Sequence, residues 1–160
     1  MTDNGILLPF FDWLGTTPIA VAVSKSQYAF AIIEVFQLFG IILLLGSASL
    51  MALRLLGLAM KEQKISEVRR QVAWYTLIGL LTMLTTGVTM LSSNTTKYYN
   101  NTPFWWKMGF FWTGVVVHFT LYRKVTRSDK TGLLLGGITA VLILALWYGT
   151  GAFGRAIAFF

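Results

Sequence analysis

Long apolar stretches alternate with short charged or polar segments along this chain of 160 residues. The apolar stretches cover about 27–60, 72–91, 103–122 and 133–148, and a helix needs roughly 20 apolar residues to cross a bilayer. Charged turns separate the first stretch from the second and the third from the fourth, while a polar loop separates the middle two. The pattern predicts an all-α membrane protein in which residues 27–160 form a bundle of four transmembrane helices.

Residues 1–26 have a different pattern, in which apolar side chains are mixed with polar ones over short distances. Asp12 and Trp13 stand next to each other, and Thr17 followed by Pro18 is a typical helix start. This segment is too short and too mixed to span a bilayer. We therefore expect a short N-terminal helix in the membrane interface.

The basic residues predict the orientation of the four spans. Nine of them fall in or beside the two charged turns, and only Lys25, Lys97, Lys107 and Arg155 lie towards the other side. The nine are Arg54, Lys61, Lys64, Arg69, Arg70, Arg123, Lys124, Arg127 and Lys130. Because cytoplasmic loops carry an excess of Lys and Arg, both charged turns are expected in the cytoplasm and both termini outside.

Composition agrees with a membrane protein: 56% of the residues are hydrophobic and 12% are charged, against roughly 25% charged in soluble domains. The net charge of +7 is accounted for by the two charged turns, so the partner that it indicates is the lipid bilayer and not a nucleic acid. The chain has no cysteine, which excludes disulfides, thiolate metal sites and iron–sulfur clusters.

Three polar side chains stand out in the outer halves of the spans. Glu34 lies about 10 Å and Lys107 about 6 Å from the outer ends of the first and third spans, at 1.5 Å per residue. Because a buried charge is costly unless it is paired, the similar depth predicts an intramembrane Glu34–Lys107 ion pair. Gln37, one turn beyond Glu34, would hydrogen-bond nearby. The alternative is a Lys107 that reaches the outer head groups and a Glu34 that is protonated or bound to a hydroxyl.

His118 is the only histidine, and it lies three helical turns beyond Lys107 on the same face of the third span. It could serve as a haem or metal ligand or as a proton-handling group. The alternative is a histidine bonded to a neighbouring helix. The second span carries Thr82, Thr85, Thr86, Thr89 and Ser93 at helical spacing. This set favours helix packing, with the polar wall of a cavity as the alternative.

Several short segments together resemble an uncharacterised family of small bacterial integral membrane proteins, a domain of unknown function. The segments are EVFQLFG, LRLLGLAM, LTTGVTMLSS, YYNNTPFWWK, VHFTLYRKV and LALWYGTGAFGRAIAF. The residues that match the family's pattern are Glu34, Gly40, Arg54, Gly57, Thr86, Gly87, Tyr98, Asn101, Phe104, Lys107, His118, Tyr122, Trp147, Gly154 and Arg155. The resemblance covers nearly the whole chain beyond residue 28 and implies the inner, cytoplasmic membrane of a bacterium.

The family pattern implies two intramembrane histidines, which would fit haem b or copper. Here Gln37 stands where the first of them is expected, and glutamine is not a usual haem ligand. The second falls on His118.

Three function classes follow from these observations, and no catalytic constellation is present to add a fourth. We expect a non-catalytic structural or accessory subunit that packs against other membrane subunits. One alternative is a membrane redox protein with haem b or quinone near His118, Gln37 and Phe111. The other is a small transporter or channel formed by a homo-oligomer, with Glu34, Lys107 and the threonines along its path.

Overall fold

The computed structural model describes residues 7–26, 28–129, 132–157 and 159, and these residues form helices and turns without strands. The first six residues of the predicted interfacial segment, the predicted span start at Gln27 and the basic Lys130 lie outside the described residues. The helices are α1 (Leu8–Gly15), α2 (Pro18–Lys25), α3 (Ala29–Leu55), α4 (Ile65–Ser93), α5 (Thr95–Tyr99), α6 (Thr102–Val117), α7 (Arg123–Arg127) and α8 (Leu133–Ala156), with a π-helical turn at His118–Tyr122.

Within the described chain, three helices are long and apolar enough to cross a membrane: α3, α4 and α8. The third predicted span is divided, because a π-helical turn separates α6 from α7. The backbone does not break there. Val117, His118, Tyr122 and Arg123 all keep right-handed helical φ and ψ values, so α6, the π turn and α7 form one continuous rod.

The ends of α3 and α4 are set by capping rather than by hydropathy. α3 ends at Leu55, five residues before the predicted limit, because Gly57 has φ +68°. The Gly57 N–H donates to the Arg54 carbonyl and the Leu58 N–H to the Leu53 carbonyl, which is the Schellman pattern. α4 begins at Ile65, seven residues before the predicted limit, where the Lys64 N–H donates a hydrogen bond to the Glu67 carboxylate at 3.4 Å, which is one half of a capping box.

The last helix extends beyond its predicted end. The fourth span was predicted to end near residue 148, before the glycine-containing segment GTGAFGRA, yet α8 continues through this segment to Ala156. Its glycines face close neighbours instead of turning the chain. A Cβ at Gly149 would lie 2.5 Å from Phe110, and one at Gly151 would lie 2.9 Å from Ile41. These glycines therefore allow α6 and α3 to pack tightly against α8.

α3 and α8 form the centre of the bundle, since α3 packs along both α4 and α8, and α8 also packs against α6. Leu44, Met51, Ile143 and Trp147 form the middle of the core and are almost fully buried. α4 meets α7 and α5 at its two ends, but the described parts of α4 and α6 are not close-packed neighbours. A gap between α4 and α6 is left along the bundle.

The N-terminal helices cover the end of the bundle at which α5 lies. α2 packs on α4, and α1 packs on α5. Phe11 of α1 joins Tyr98, Phe104 and Ile157 in a second, smaller cluster. The Thr17 side chain accepts a hydrogen bond from the Ala20 N–H, which caps α2 at the predicted Thr-Pro start.

Candidate ligand cavities

Two cavities lie beside α4: one is lined by residues of α3, α4, α5, α6 and α8, and the other by residues of α4, the π turn, α7 and α8. The outer cavity, named after the predicted orientation, has a volume of about 260 Å³ and includes Glu34, Gln37 and Lys107 in its lining. The inner cavity has a volume of about 210 Å³ and includes His118. Leu80 and Trp147 line the inner cavity, and Met83 and Thr150, three residues further along the same helices, line the outer one. The cavities are thus stacked at two levels, about one helical turn apart.

Glu34 and Lys107 share the outer cavity but do not form an ion pair in the described chain. The Glu34 carboxylate instead lies 3.9 Å from the Arg155 guanidinium, and these side chains are 47% and 71% exposed. Such a long and exposed pair contributes little stability. Lys107 has neither a hydrogen bond nor an ion pair with any described residue, although it lines the same cavity.

Gln37 also lines the outer cavity, as expected from its place one turn beyond Glu34. Its carbonyl oxygen Oε1 is buried and has no hydrogen-bond partner among the described residues. Tyr98 contributes a phenol from α5. Burial, with the Glu34 carboxylate as a smaller cause, raises the pKa of Tyr98 above its ordinary value. The phenol therefore stays neutral at physiological pH.

Thr86 is not brought to either cavity; its hydroxyl donates to the Thr82 carbonyl at 2.6 Å. Thr85 and Thr89 likewise donate to carbonyls within α4, at 2.9 and 2.8 Å. These hydroxyls therefore have their hydrogen-bond acceptors within their own helix. Of the hydroxyl residues at helical spacing in α4, Thr82 is the one whose side chain lies against another helix, where it faces Gly40 of α3.

His118 occupies the first position of the π turn and stacks on Tyr122, with ring centroids 4.4 Å apart. The π turn inserts one extra residue into the helix, a distortion that is frequent at functional sites. Phe111 and Gly114 continue a stripe along one face of the helix from Lys107 to His118, and they pack on Trp147 of α8. The stripe therefore faces the centre of the bundle.

Three residues of the inner cavity each have a buried polar atom without a partner in the described chain. They are Arg69 Nε, His118 Nδ1 and Trp147 Nε1. Buried polar groups in proteins are nearly always hydrogen-bonded, because an unsatisfied one costs about 1–3 kcal/mol. Three such atoms around one cavity are the sign of a site that accommodates a polar ligand or ordered water.

A haem held through positions 37 and 118 does not fit this arrangement. Gln37 lines the outer cavity and His118 the inner one, so the two side chains do not face a common ligand. The inner cavity is also smaller than the roughly 300–1,000 Å³ of pockets for drug-sized ligands. Among the described residues, no three His, Cys, Asp or Glu side chains come together in a group that could hold a metal ion.

Sequence reasoning missed three of the residues that shape these cavities. Arg155 lies beyond the predicted end of the fourth span, whereas the unbroken α8 brings it to Glu34. Arg69 was placed in or beside a charged turn, although Ile65, Val68 and Val72 already show the helical spacing that puts it in α4. Trp147 lies next to the predicted end of the fourth span, yet it is 1% exposed in the core.

Comparison with known proteins gives one family and no individual relative. No curated protein and no solved structure matches the chain. The model of a Family of unknown function (DUF6644) matches residues 10–160, which is nearly the whole chain and agrees with the resemblance seen in the sequence. The chain belongs to this family.

Proposed function

We propose that this chain is a four-span accessory protein of the bacterial inner membrane that binds a small, lipid-soluble ring compound of the quinone class beside His118. The observation that carries this proposal is the set of three buried, unpartnered polar atoms around the inner cavity. The proposed role is binding, and no step of chemistry is assigned to the chain.

The chemistry of the inner cavity favours a ligand that accepts hydrogen bonds. Trp147 Nε1–H and Arg69 Nε–H are donors only, while His118 Nδ1 donates or accepts according to its tautomer. The rings of Tyr122 and Phe119 add flat apolar walls. A quinone head group combines a flat ring with carbonyl acceptors, and so complements both features.

Access from the lipid is supported by the residues at the edge of the inner cavity. Leu77 of α4 and Phe119 of the π turn both line it, and they are 40% and 49% exposed on the outside of the bundle. A ring compound with an apolar tail would reach the cavity between these two side chains while its tail stayed in the bilayer. This route suits a ligand that is dissolved in the membrane.

The four-span topology is supported by the continuous rod of α6, the π turn and α7. From Thr102 to Arg127 the rod rises about 38 Å at 1.5 Å per residue, which exceeds a hydrocarbon core of about 30 Å. Four crossings place both charged turns on one side, as the distribution of basic residues requires for an orientation with both termini outside.

A second candidate is a purely structural subunit, and the outer half of α3 favours it. Ile32, Val35, Phe36 and Phe39 form an exposed apolar face there, with the partly exposed Glu34 beside it. Lipid alone would cover the apolar side chains, whereas the half-exposed Glu34 carboxylate would need a polar partner, which another subunit or a second copy of the chain would supply. Purification in a mild detergent distinguishes the two candidates, since a structural subunit co-purifies with a partner in fixed stoichiometry and needs no small ligand.

The binding proposal is tested by thermal unfolding of the purified protein with a short-chain benzoquinone. A ligand that binds only the folded state stabilises it by RT ln(1 + [L]/Kd), so Tm rises with ligand concentration. Trp147→Phe removes one donor and keeps a ring, and should weaken binding by roughly threefold to tenfold. Arg69→Lys removes the Nε donor at the cavity's edge and should have a similar effect.

Trp74→Phe is the matched control, because Trp74 is exposed on α4 and lies outside both cavities. This variant should respond to the quinone as the wild type does. An unchanged wild-type Tm at saturating quinone, or equal shifts in all four proteins, would overturn the proposal.

A further inference from the structure

The outer cavity carries an excess of positive charge that the proposed function does not use. Lys97, Lys107 and Arg155 line it, and Glu34 is the carboxylate that faces them. Three cationic side chains thus surround one anionic group at the outer end of the bundle. Lys107 lies only about 8 Å from the start of α6, which is close to the level of the lipid head groups.

The ion pairs of the described chain do not neutralise this excess. Arg155 and Glu34 are 3.9 Å apart and largely exposed, so their attraction is weak. The Lys107 side chain extends over Gly154, where a Cβ would lie 3.5 Å from Cε and 3.6 Å from Nζ. With no partner in any described residue, its ammonium group is free to donate to a ligand in the cavity.

The same cavity also offers acceptors. Gln37 Oε1 is buried and unpartnered, and a carboxylate as exposed as Glu34 retains free lone pairs. A bare anion would satisfy the cations but not these oxygens. A ligand that fits both sets needs an anionic group and a hydroxyl donor within one small head group.

The remaining wall of the cavity is apolar. Phe30 and Leu38 of α3, Met90 of α4 and Met108 of α6 face it, and such side chains suit a hydrocarbon chain. From this combination we infer that the outer cavity binds a glycerol phosphate group, of the kind that an anionic phospholipid carries. The phosphate lies between Lys107 and Arg155, and a glycerol hydroxyl donates to Gln37.

Two sources share this chemistry, the head group of a membrane lipid and free glycerol phosphate. Thermal unfolding in phosphatidylcholine nanodiscs separates them, with added phosphatidylglycerol in one arm and soluble glycerol 3-phosphate in the other. Stabilisation by phosphatidylglycerol alone identifies the lipid as the source. Stabilisation in both arms identifies the free group as sufficient. Stabilisation in neither arm overturns the inference.

Four variants test the placement of the groups. Lys107→Gln removes a charged donor and should weaken the response about tenfold or more. Lys124→Gln, an exposed lysine on α7 outside the cavity, is its control and should behave like the wild type. Glu34→Gln removes the carboxylate and should strengthen the response. Gln37→Leu should weaken the response to phosphatidylglycerol but leave the response to phosphatidylmethanol, an anionic phosphodiester whose head group has no hydroxyl.

Equal responses of Lys107→Gln and Lys124→Gln would overturn the inference even if phosphatidylglycerol stabilises the wild type. That result would show that phosphatidylglycerol is attracted by the overall positive charge of the protein and not by the outer cavity. Trp147→Phe changes the inner cavity, where the quinone is proposed to bind, and should leave the response to phospholipid unchanged. A failure of quinone binding can therefore be distinguished from a failure of phospholipid binding.

Discussion

At the scale of single residues, the informative signal is a polar atom without a partner. Gln37 Oε1, Arg69 Nε, His118 Nδ1 and Trp147 Nε1 are buried and unpartnered in the described chain, and each belongs to a residue that lines one of the two cavities. Gln37 and His118 stood out in the sequence because polar residues are rare in membrane spans. Arg69 and Trp147 did not, since arginine near a turn and tryptophan near an interface are ordinary.

Asp129 carries a prediction for the dependence of stability on pH. Its carboxylate accepts hydrogen bonds from the Ser66 backbone N–H at 2.9 Å and the Ser66 hydroxyl at 3.1 Å, in the first turn of α4. These bonds lower the pKa of Asp129 below its ordinary value. The carboxylate therefore stabilises the folded state above the pKa of the unfolded chain, and this contribution is lost as the pH falls through the lowered pKa.

Asp129→Asn should accordingly lower Tm at neutral pH, and its difference from the wild type should shrink as the solution is acidified towards that lowered pKa. Thermal melts in detergent at a series of pH values measure it. Asp12→Asn, an exposed carboxylate on α1, is the control. A difference between wild type and Asp129→Asn that stays constant across the acid range would contradict the assignment of these bonds.

At the scale of elements, glycines decide how closely the helices approach. α3 and α4 cross where Gly40 and Gly79 meet: a Cβ at Gly79 would lie 2.7 Å from the Gly40 carbonyl oxygen and 2.8 Å from the Leu44 nitrogen. Gly46, another glycine of α3, has nothing within 4 Å of such a Cβ. Hydropathy cannot distinguish these glycines, because the difference lies in the neighbouring helix.

Gly79→Ala should destabilise the protein by about 1–3 kcal/mol, because backbone atoms of α3 cannot move aside as a flexible side chain would. Gly46→Ala is the matched control, and its Tm should stay the same or rise slightly, since alanine favours a helix by up to about 1 kcal/mol over glycine. Circular dichroism melts in one detergent measure both. If the two substitutions had equal effects, the crossing of α3 and α4 would not lie at Gly79.

At the scale of the whole molecule, the gap between α4 and α6 places two polar cavities one above the other. Phe111 and Trp147 pack edge to face in the region between them, with centroids 6.0 Å apart, and Met83 is buried on the opposite wall. The two sites are therefore separated by apolar side chains. This arrangement favours two independent binding sites. A channel that runs through each subunit would instead need a continuous polar path.

The number of spans leads to a prediction that single cysteines can test, because the chain has none of its own. Asn100→Cys lies between α5 and α6, whereas Glu62→Cys and Gly132→Cys lie before α4 and before α8. With four crossings, a membrane-impermeant thiol reagent should label Asn100→Cys in intact spheroplasts. It should label the other two only after permeabilisation. Labelling of Gly132→Cys together with Asn100→Cys in intact cells would show that α6 and α7 do not cross.

The sequence by itself determined the helical membrane class, the family and the set of polar residues to consider. Hydropathy is local, so runs of apolar residues predict helices, and counting residues predicts depth. The similar depth of Glu34 and Lys107 predicted an ion pair; in the described chain the two residues line one cavity without pairing.

Only the tertiary structure decided which side chains meet. Which side chains contact each other depends on how each helix is rotated about its axis and where it ends. Rotation and ends follow from contacts with neighbouring helices, such as Gly40 with Gly79 and Gly149 with Phe110. The unbroken α8 brought Arg155 to Glu34, and the loose contact of α4 with α6 opened separate cavities for Gln37 and His118. No single segment of the chain contains that information, because it arises from the packing of four segments together.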